Sequence, residues 1–392
     1  PNFGLNLREF ERLQGAPLRF GGWEMMFLRR RRCLLSSDDC IVIEDEYRKP
    51  FVHAVIRTTY FRPRERTVNM LVVDHDVKVL KDFTMPRSKG DVTVFRIQTN
   101  TAMNPYRRFA FTRSGKIVAQ GEFEVPLSTG DHVQREMALQ FGDGVVLHPL
   151  PAGNVGIFSL CDAPLVVRVG MTTNPLHAFV SGANKWRNFV EIGVRVNGGR
   201  LHVGDRIRTR ILFVLDNRDS ATPDELAKLL TAYGIGGSPP DAFEVLHGEL
   251  TKNCMPFELH ARDGYVRVRI RKTDLPLGLP IIVRGINPNS DVVIHDVKSI
   301  FTRYIGAAND CAYALLDSNA PAELIIGNAV TCDMRDAVLT AFKDEGKWHV
   351  LVHNPTDDAI TVKLSSPLPS LSRIPRKVTL QPCTEIELLA SH

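Results

Sequence analysis

The stretch Arg200-Leu-His-Val-Gly-Asp-Arg206-Ile-Arg208-Thr-Arg210-Ile-Leu-Phe-Val-Leu-Asp216 decides the fold class. Ile207, Thr209, Ile211, Phe213 and Leu215 alternate first with Arg206, Arg208 and Arg210, then with Leu212 and Val214. A period of two belongs to a β-strand, whose successive side chains point to opposite faces. One face of this strand is core. The other is basic at its start and apolar at its end. Gly204-Asp205 before it is a turn signal.

Next comes Thr222-Pro-Asp-Glu-Leu-Ala-Lys-Leu-Leu-Thr-Ala-Tyr-Gly234, the clearest helix in the chain. Thr222 and Glu225 have capping-box spacing, and Pro223 suits the first helical position. Asp224 and Glu225 suit the positive end of the helix dipole. Leu226, Leu229, Leu230 and Tyr233 make one apolar stripe, and Gly234 ends it. Gly236-Gly-Ser-Pro-Pro240 follows as a linker. The helix reads as a structural element between two β regions.

Working outward, β patterns dominate on both sides. Before the helix, Cys40–Glu44, Phe51–Arg62, Thr67–Leu80, Tyr106–Arg113, Lys116–Val125 and Asn188–Val196 are among the expected strands. Within Thr67–Leu80, Asp74-His75-Asp76 is expected to mark a turn or an exposed edge. After the helix, Val266, Val268 and Ile270 alternate with Arg267, Arg269 and Arg271, a second arginine stripe of the same design. Trp348-His-Val-Leu-Val-His353 is expected as a strand with Trp348 in the core. Asn354-Pro-Thr-Asp-Asp358 is its turn, read as a hairpin into Ile360–Leu364. The fold class is all-β: a large curved two-sheet β-sandwich, a short linker helix and a smaller β-sandwich. The expected boundaries are a lead-in over 1–16, the large domain over 17–219, the helix and linker over 220–240, and the small domain over 241–392.

The chain has 392 residues, enough for two or three domains. Its net charge of +5 is mild for this length and gives no ground for nucleic acid. Seven cysteines are scattered without zinc spacing or a disulfide framework, which leans towards a reducing compartment without deciding it. No segment reaches the roughly 18 apolar residues of a membrane helix, so no membrane partner is expected. The chain opens on Pro1 rather than Met and reads as part of something longer, with an upstream domain or partner chain. Bacterial cytoplasm and periplasm or secretion both fit.

No phosphate loop, dinucleotide fingerprint, nucleophile elbow or zinc-protease motif occurs. Nothing calls for a cofactor or metal. Asp74, Asp76, Glu122, Glu124 and Glu191 are formal carboxylate candidates for glycoside chemistry, with nothing in the sequence to pair them. Lyase chemistry on uronic acids needs a base and a cation to neutralise the carboxylate. His53, Arg57 and Tyr60 supply those types on one strand, with Tyr60 facing away. Arg29-Arg-Arg-Arg32 reads as a solvated strand end or turn, or else as a phosphate or carboxylate contact. The best sugar-binding cluster is Ala183-Asn184-Lys185-Trp186-Arg187-Asn188, placed in a loop before a strand. There Trp186 is expected to stack on a sugar ring, with Asn184 and Arg187 hydrogen-bonding to it. Trp23, after Gly21-Gly22, is a second aromatic of this kind. The substrate-binding set is thus Trp186, Asn184, Arg187, Trp23, His53 and Arg57, with no catalytic residue assigned.

The order of parts resembles the C-terminal β regions of bacterial carbohydrate-active proteins, where a galactose-mutarotase-like supersandwich precedes a linker and a small sandwich. Leu201-His-Val-Gly-Asp205 with its long following strand, the Thr222–Gly234 helix with its linker, and Val350-Leu-Val-His-Asn-Pro-Thr356 carry the resemblance. It implies a protein that binds or acts on a poly- or oligosaccharide, and the arginine stripes extend this to anionic ones. It also implies the β portion of a glycoside hydrolase or lyase whose catalytic acid sits in a separate α-barrel. A structural or assembly β protein, shell- or capsid-like, is the alternative.

Overall fold

Alternating sequence becomes strand along most of the chain. The structure, a computed structural model, describes residues 27–390 except 49–51, 63–66, 85–90, 101–105, 123–133, 143, 150–153, 161–164, 174–185, 196–199, 219–221, 237–239, 272–274, 300, 318–321 and 335. Over 91–100, 134–142, 165–173 and 186–195 it describes the backbone alone. The chain divides into two units. One takes residues 1–33, 42–60 and 65–238, and the other takes 34–41, 61–64 and 239–392.

The first run of strands is β1 (Phe27–Ser36), β2 (Cys40–Arg48), β3 (Val52–Phe61), β4 (Val68–Val79), β5 (Phe83–Thr84), β6 (Asp91–Asn100), β7 (Tyr106–Arg113) and β8 (Lys116–Glu122). It continues with β9 (Gln134–Gly142), β10 (Gly144–Pro149), β11 (Asn154–Ser159), β12 (Leu165–Thr173), β13 (Trp186–Arg195), β14 (Arg200–Leu201) and β15 (Arg206–Asp216). A nine-stranded sheet has the order β1-β2-β3-β4-β15-β11-β10-β7-β8, and a four-stranded sheet the order β6-β13-β12-β9. β5 and β14 pair separately.

β15 lies near the centre of the large sheet, between β4 and β11. Ile207, Thr209, Ile211 and Phe213 are buried on one face, as the alternation requires. Burying such an aliphatic side chain stabilises by about 1.5–3 kcal/mol. The other face is divided. Its apolar half, Leu212 and Val214, is buried, and Val214 pairs with Gly156 of β11. On that side runs helix α1 (Pro223–Thr231), which packs against β8, β10 and β11. A Cβ on Gly156 would meet the Phe158 ring at 2.3 Å and Leu226 of the helix at 3.1 Å, so glycine leaves room for both. Leu226, Ala227, Leu230 and Tyr233 are buried. The capping box forms as its spacing requires: Glu225 N donates to Thr222 Oγ1 (3.3 Å) and Thr222 N to Glu225 Oε2 (2.8 Å). Gly234 leaves the helix with φ +79°. The helix belongs to the first unit.

Two sequence expectations fail here. Asp74-His75-Asp76 is neither a turn nor an edge. β4 runs unbroken through it, between β3 and β15. Trp186, Arg187 and Asn188 are not in a loop before a strand: β13 begins at Trp186, whose backbone pairs with Thr173.

The smaller β region resolves into four sheets. Its strands are β16 (Phe243–His247), β17 (Glu249–Lys252), β18 (Phe257–His260), β19 (Tyr265–Ile270), β20 (Leu279–Arg284), β21 (Val292–Asp296), β22 (Thr302–Tyr304) and β23 (Gly306–Ala308). Then come β24 (Cys311–Leu316), β25 (Glu323–Asn328), β26 (Thr331–Cys332), β27 (Val338–Asp344), β28 (Lys347–His353), β29 (Ile360–Ser365), β30 (Lys377–Leu380) and β31 (Glu385–Ala390). Two five-stranded sheets run β16-β19-β25-β21-β22 and β17-β18-β20-β24-β23. Two three-stranded sheets, β26-β29-β30 and β27-β28-β31, enclose one core around Trp348, Val350, Val362 and Leu380. Trp348 is buried, as expected.

The turn after His353 is present, but it is no hairpin: β28 pairs with β27 and β31, whereas β29 pairs with β26 and β30. Buried Asn354 holds this crossing between sheets. Its amide donates to Asp358 O (2.8 Å) and Gln381 O (2.9 Å), and its oxygen accepts from Thr356 N (3.0 Å).

Candidate functional site

The basic half of β15 is paired, residue by residue, with the acidic half of β4. The antiparallel register sets Arg210 opposite Asp74, Arg208 opposite Asp76 and Arg206 opposite Lys78. Directly opposed residues share a face and lie close enough for long side chains to meet. Arg210 grips Asp74 with two nitrogens, the second at 3.2 Å from Oδ2. Asp76 Oδ2 receives both Arg206 Nη2 (3.1 Å) and Arg208 Nε (3.5 Å). Arg210 is 13% exposed, against 53% and 65% for Arg206 and Arg208. The pairing closes at one end of the stripe and opens at the other.

On the reverse face of the same two strands, His75 is buried opposite Thr209, whose hydroxyl lies 3.1 Å from Nδ1. Burial pushes this imidazole down to about 4, so it is neutral at pH 7. The alternation therefore sorts Asp74 and Asp76 to the open face and His75 to the core.

The charged face continues across β3, β2 and β1. On β3, His53 and Arg57 are half-buried while the alternating Val52, Ala54 and Ile56 are buried, so both point outward with Asp74 and Asp76. His53 Nε2 lies 2.9 Å from Glu46 Oε1, and Arg57 Nη2 donates to Glu44 Oε2 (2.9 Å). Glu44 also accepts from Arg32 of β1. Burial would raise the Glu44 carboxyl, but the bonds from Arg32 and Arg57 outweigh it and hold the group below its ordinary range. A general acid needs the opposite shift. Glu44 is thus a fixed anion between two guanidiniums, suited to binding and not to protonating a leaving group. Tyr60 donates to Asn69 of β4 (2.7 Å). Within the run Arg29–Arg32, Arg31 binds Asp45 (2.7 Å) and Arg32 binds Glu44, so both make internal carboxylate contacts.

Of the six sequence-derived binding residues, His53 and Arg57 stand four positions apart on one face of β3, each against a different carboxylate of β2. Trp186 and Arg187 open β13, and their side chains, like Trp23 and Asn184 altogether, lie outside the described residues. Glu124 lies there too, and Glu191 is described by backbone alone. Glu122 accepts from Arg108 in an exposed ion pair (3.0 Å). Glu44 and Glu46 were missed, and Arg32 was read only within the run Arg29–Arg32. Glu44 and Glu46 reach Arg57 and His53 across the β2–β3 pairing, a relation that alternation within one strand does not carry. Among the described residues no three His, Cys, Asp or Glu gather to hold a metal, and no helix is long and apolar enough to cross a membrane.

No protein family and no curated protein matches the sequence. Solved structures give weak likenesses to β regions of carbohydrate-active proteins, in line with the resemblance read from the sequence. Heparan sulfate lyase HepC from Pedobacter heparinus is 9% identical with a TM-score of 0.33, over 69% of this chain and 30% of the lyase. The galactosidase domain of the alpha-galactosidase–sucrose kinase AgaSK is 8% identical with a TM-score of 0.30, over 50% and 26%. A candidate aldose 1-epimerase from Escherichia coli is 14% identical with a TM-score of 0.25, over 47% and 68%. The match thus spans under a third of the lyase and galactosidase chains.

Proposed function

We propose that this chain is a carbohydrate-binding β protein, the β portion of a polysaccharide-acting assembly, and that it holds sugar on the outward face of β1–β4 and β15. The observation that carries the reading is the alternation of fixed carboxylates and planar cations on that face: Arg32, Glu44 and Arg57, then Glu46 with His53. Sugar hydroxyls both donate and accept, so rows of rigid donors beside rigid acceptors suit them. Groups already locked by ion pairs lose little entropy on binding. Arg57 and His53 donate to ring and hydroxyl oxygens, half-exposed Glu46 accepts from hydroxyls, and buried Glu44 holds Arg57 in place. Trp186, Asn184, Arg187 and Trp23 are proposed as further sugar contacts by residue type alone. No residue is given a catalytic role.

The test is calorimetric titration of the chain with dextran, xylan and polygalacturonate, repeated with His53→Ala, Arg57→Ala and Trp186→Ala. The expected result is saccharide binding that weakens about tenfold or more in each variant, with melting temperature retained for His53→Ala and Trp186→Ala. Unchanged affinity in Trp186→Ala removes that residue from the site. A folded chain that binds no saccharide and self-assembles on size exclusion is instead a structural β protein.

A further inference from the structure

We infer that the open end of the β15 stripe, Arg206 and Arg208 facing Lys78, is a subsite for an anionic group on the bound saccharide, a carboxylate or a sulfate ester. This rests on the sugar-binding reading of the face and narrows its ligand to acidic saccharides.

The argument is one of local charge. On the paired faces of β4 and β15 stand four cations, Lys78, Arg206, Arg208 and Arg210, and two anions, Asp74 and Asp76. Asp74 is taken by Arg210. One oxygen of Asp76 is shared by Arg206 and Arg208, and Lys78 occupies the position opposite Arg206 where a further acid would balance the row. Two further acids stand at the adjoining turns: Asp205 Oδ2 accepts from His202 N (2.7 Å), and Asp82 Oδ1 accepts from Val203 N (2.9 Å) with its Oδ2 3.8 Å from His202 Nδ1, so neither carboxylate pairs with Arg206 or Arg208. Two residues along a strand separate the Arg206 and Arg208 stems by about 7 Å. Long guanidinium arms can converge on one anion from that spacing, each presenting a forked donor edge. Both side chains are more than half exposed, so the subsite is open.

The second stripe is the internal control. Arg267, Arg269 and Arg271 face Glu323, Glu244 and Asp241, three cations to three anions. Arg269 is held between Glu244 (2.9 Å) and Glu323 (3.2 Å). Charge complementarity selects the first stripe and rejects the second.

The experiment compares dextran, polygalacturonate, dextran sulfate and single-stranded DNA as ligands of the full chain. It uses the wild type, Arg206→Gln/Arg208→Gln, Arg206→Lys/Arg208→Lys and Arg267→Gln/Arg269→Gln, with melting temperatures as the check on folding. The expected result is at least about tenfold weaker binding of an acidic polysaccharide in the first double variant. Dextran binding stays unaltered, the lysine pair recovers part of the loss, and the control variant behaves as wild type. Whichever of polygalacturonate and dextran sulfate is lost more strongly identifies the anion as carboxylate or sulfate. Dextran bound as tightly as the acidic polymers overturns the inference and leaves the sugar-binding face standing. Equal loss in the β19 variant, or equal binding of DNA, overturns it as unspecific polyanion attraction. No binding of any saccharide overturns both.

Discussion

The chain contains two strands of one design, β15 and β19, and they end in different states. Each alternates arginine with buried β-branched or aliphatic residues: Ile207, Thr209 and Ile211 under Arg206, Arg208 and Arg210, and Val266, Val268 and Ile270 under Arg267, Arg269 and the following Arg271. Each divided face is apolar at one end. On β15, Leu212 and Val214 are buried on the side that receives α1; on β19, Tyr265 packs against the C-terminal core. Their neighbours differ. β19 lies between two strands that bring Glu244 and Glu323, and its charges cancel. β15 has an acidic partner on one side only, and that partner ends in Lys78. An arginine stripe is therefore no anion site by itself; the register of the adjacent strand decides whether any positive charge is left over.

The largest expected difference lies beneath the stripes. The underside of β15 meets His75, while that of β19 is wholly apolar. The folded pKa of His75 is depressed to about 4 from 6.5, so the unfolded chain binds the proton first as pH falls. Stability is then complete above pH 6.5 and is lost on acidification to pH 4, by up to about 3 kcal/mol. Urea unfolding of the first unit from pH 7 to 4 checks this. In His75→Gln the loss over that window should largely vanish, and an equally steep loss would place its source elsewhere.

Breaking the closed end of the β15 stripe comes next. Asp74→Ala leaves Arg210, 13% exposed, without its bidentate partner and should cost about 2 kcal/mol by urea unfolding. The counterpart on β19, Glu244→Ala, should leave the unfolding midpoint unchanged, because the Arg269 it leaves behind is 47% exposed and keeps Glu323. Equal effects would erase the distinction between the stripes.

A smaller effect belongs to the helix on the apolar half of the β15 face. Thr222→Ala removes the cap that accepts from Glu225 N and should cost about 1 kcal/mol. Thr222→Asp should restore it, as read by thermal melting. A null result in both would mean that helix packing, not capping, holds α1.

The all-β class, the capped helix and the core position of Trp348 were legible because they rest on neighbours in sequence: alternation, capping-box spacing and an apolar period. The same local view misread Asp74-His75-Asp76. Three polar residues in a row resemble a turn until Arg208, Arg210 and Thr209, more than 130 positions away, are set opposite them. It also misread the Asn354 turn as a hairpin, because the chain on either side looks alike whether it returns to its own sheet or crosses to another. Asn354 was legible as a turn residue, whereas its grip on Gln381 O was not. Of the site, His53 and Arg57 were legible by residue type, and their carboxylates Glu46 and Glu44 were not.

By itself the sequence determined which residues face inward on each strand and where the helix starts and stops, because backbone geometry and solvent act on every residue locally. Only the tertiary structure decided which charges cancel. Ion pairing depends on which strands become neighbours and in what register, and nothing within β15 or β19 alone carries that information.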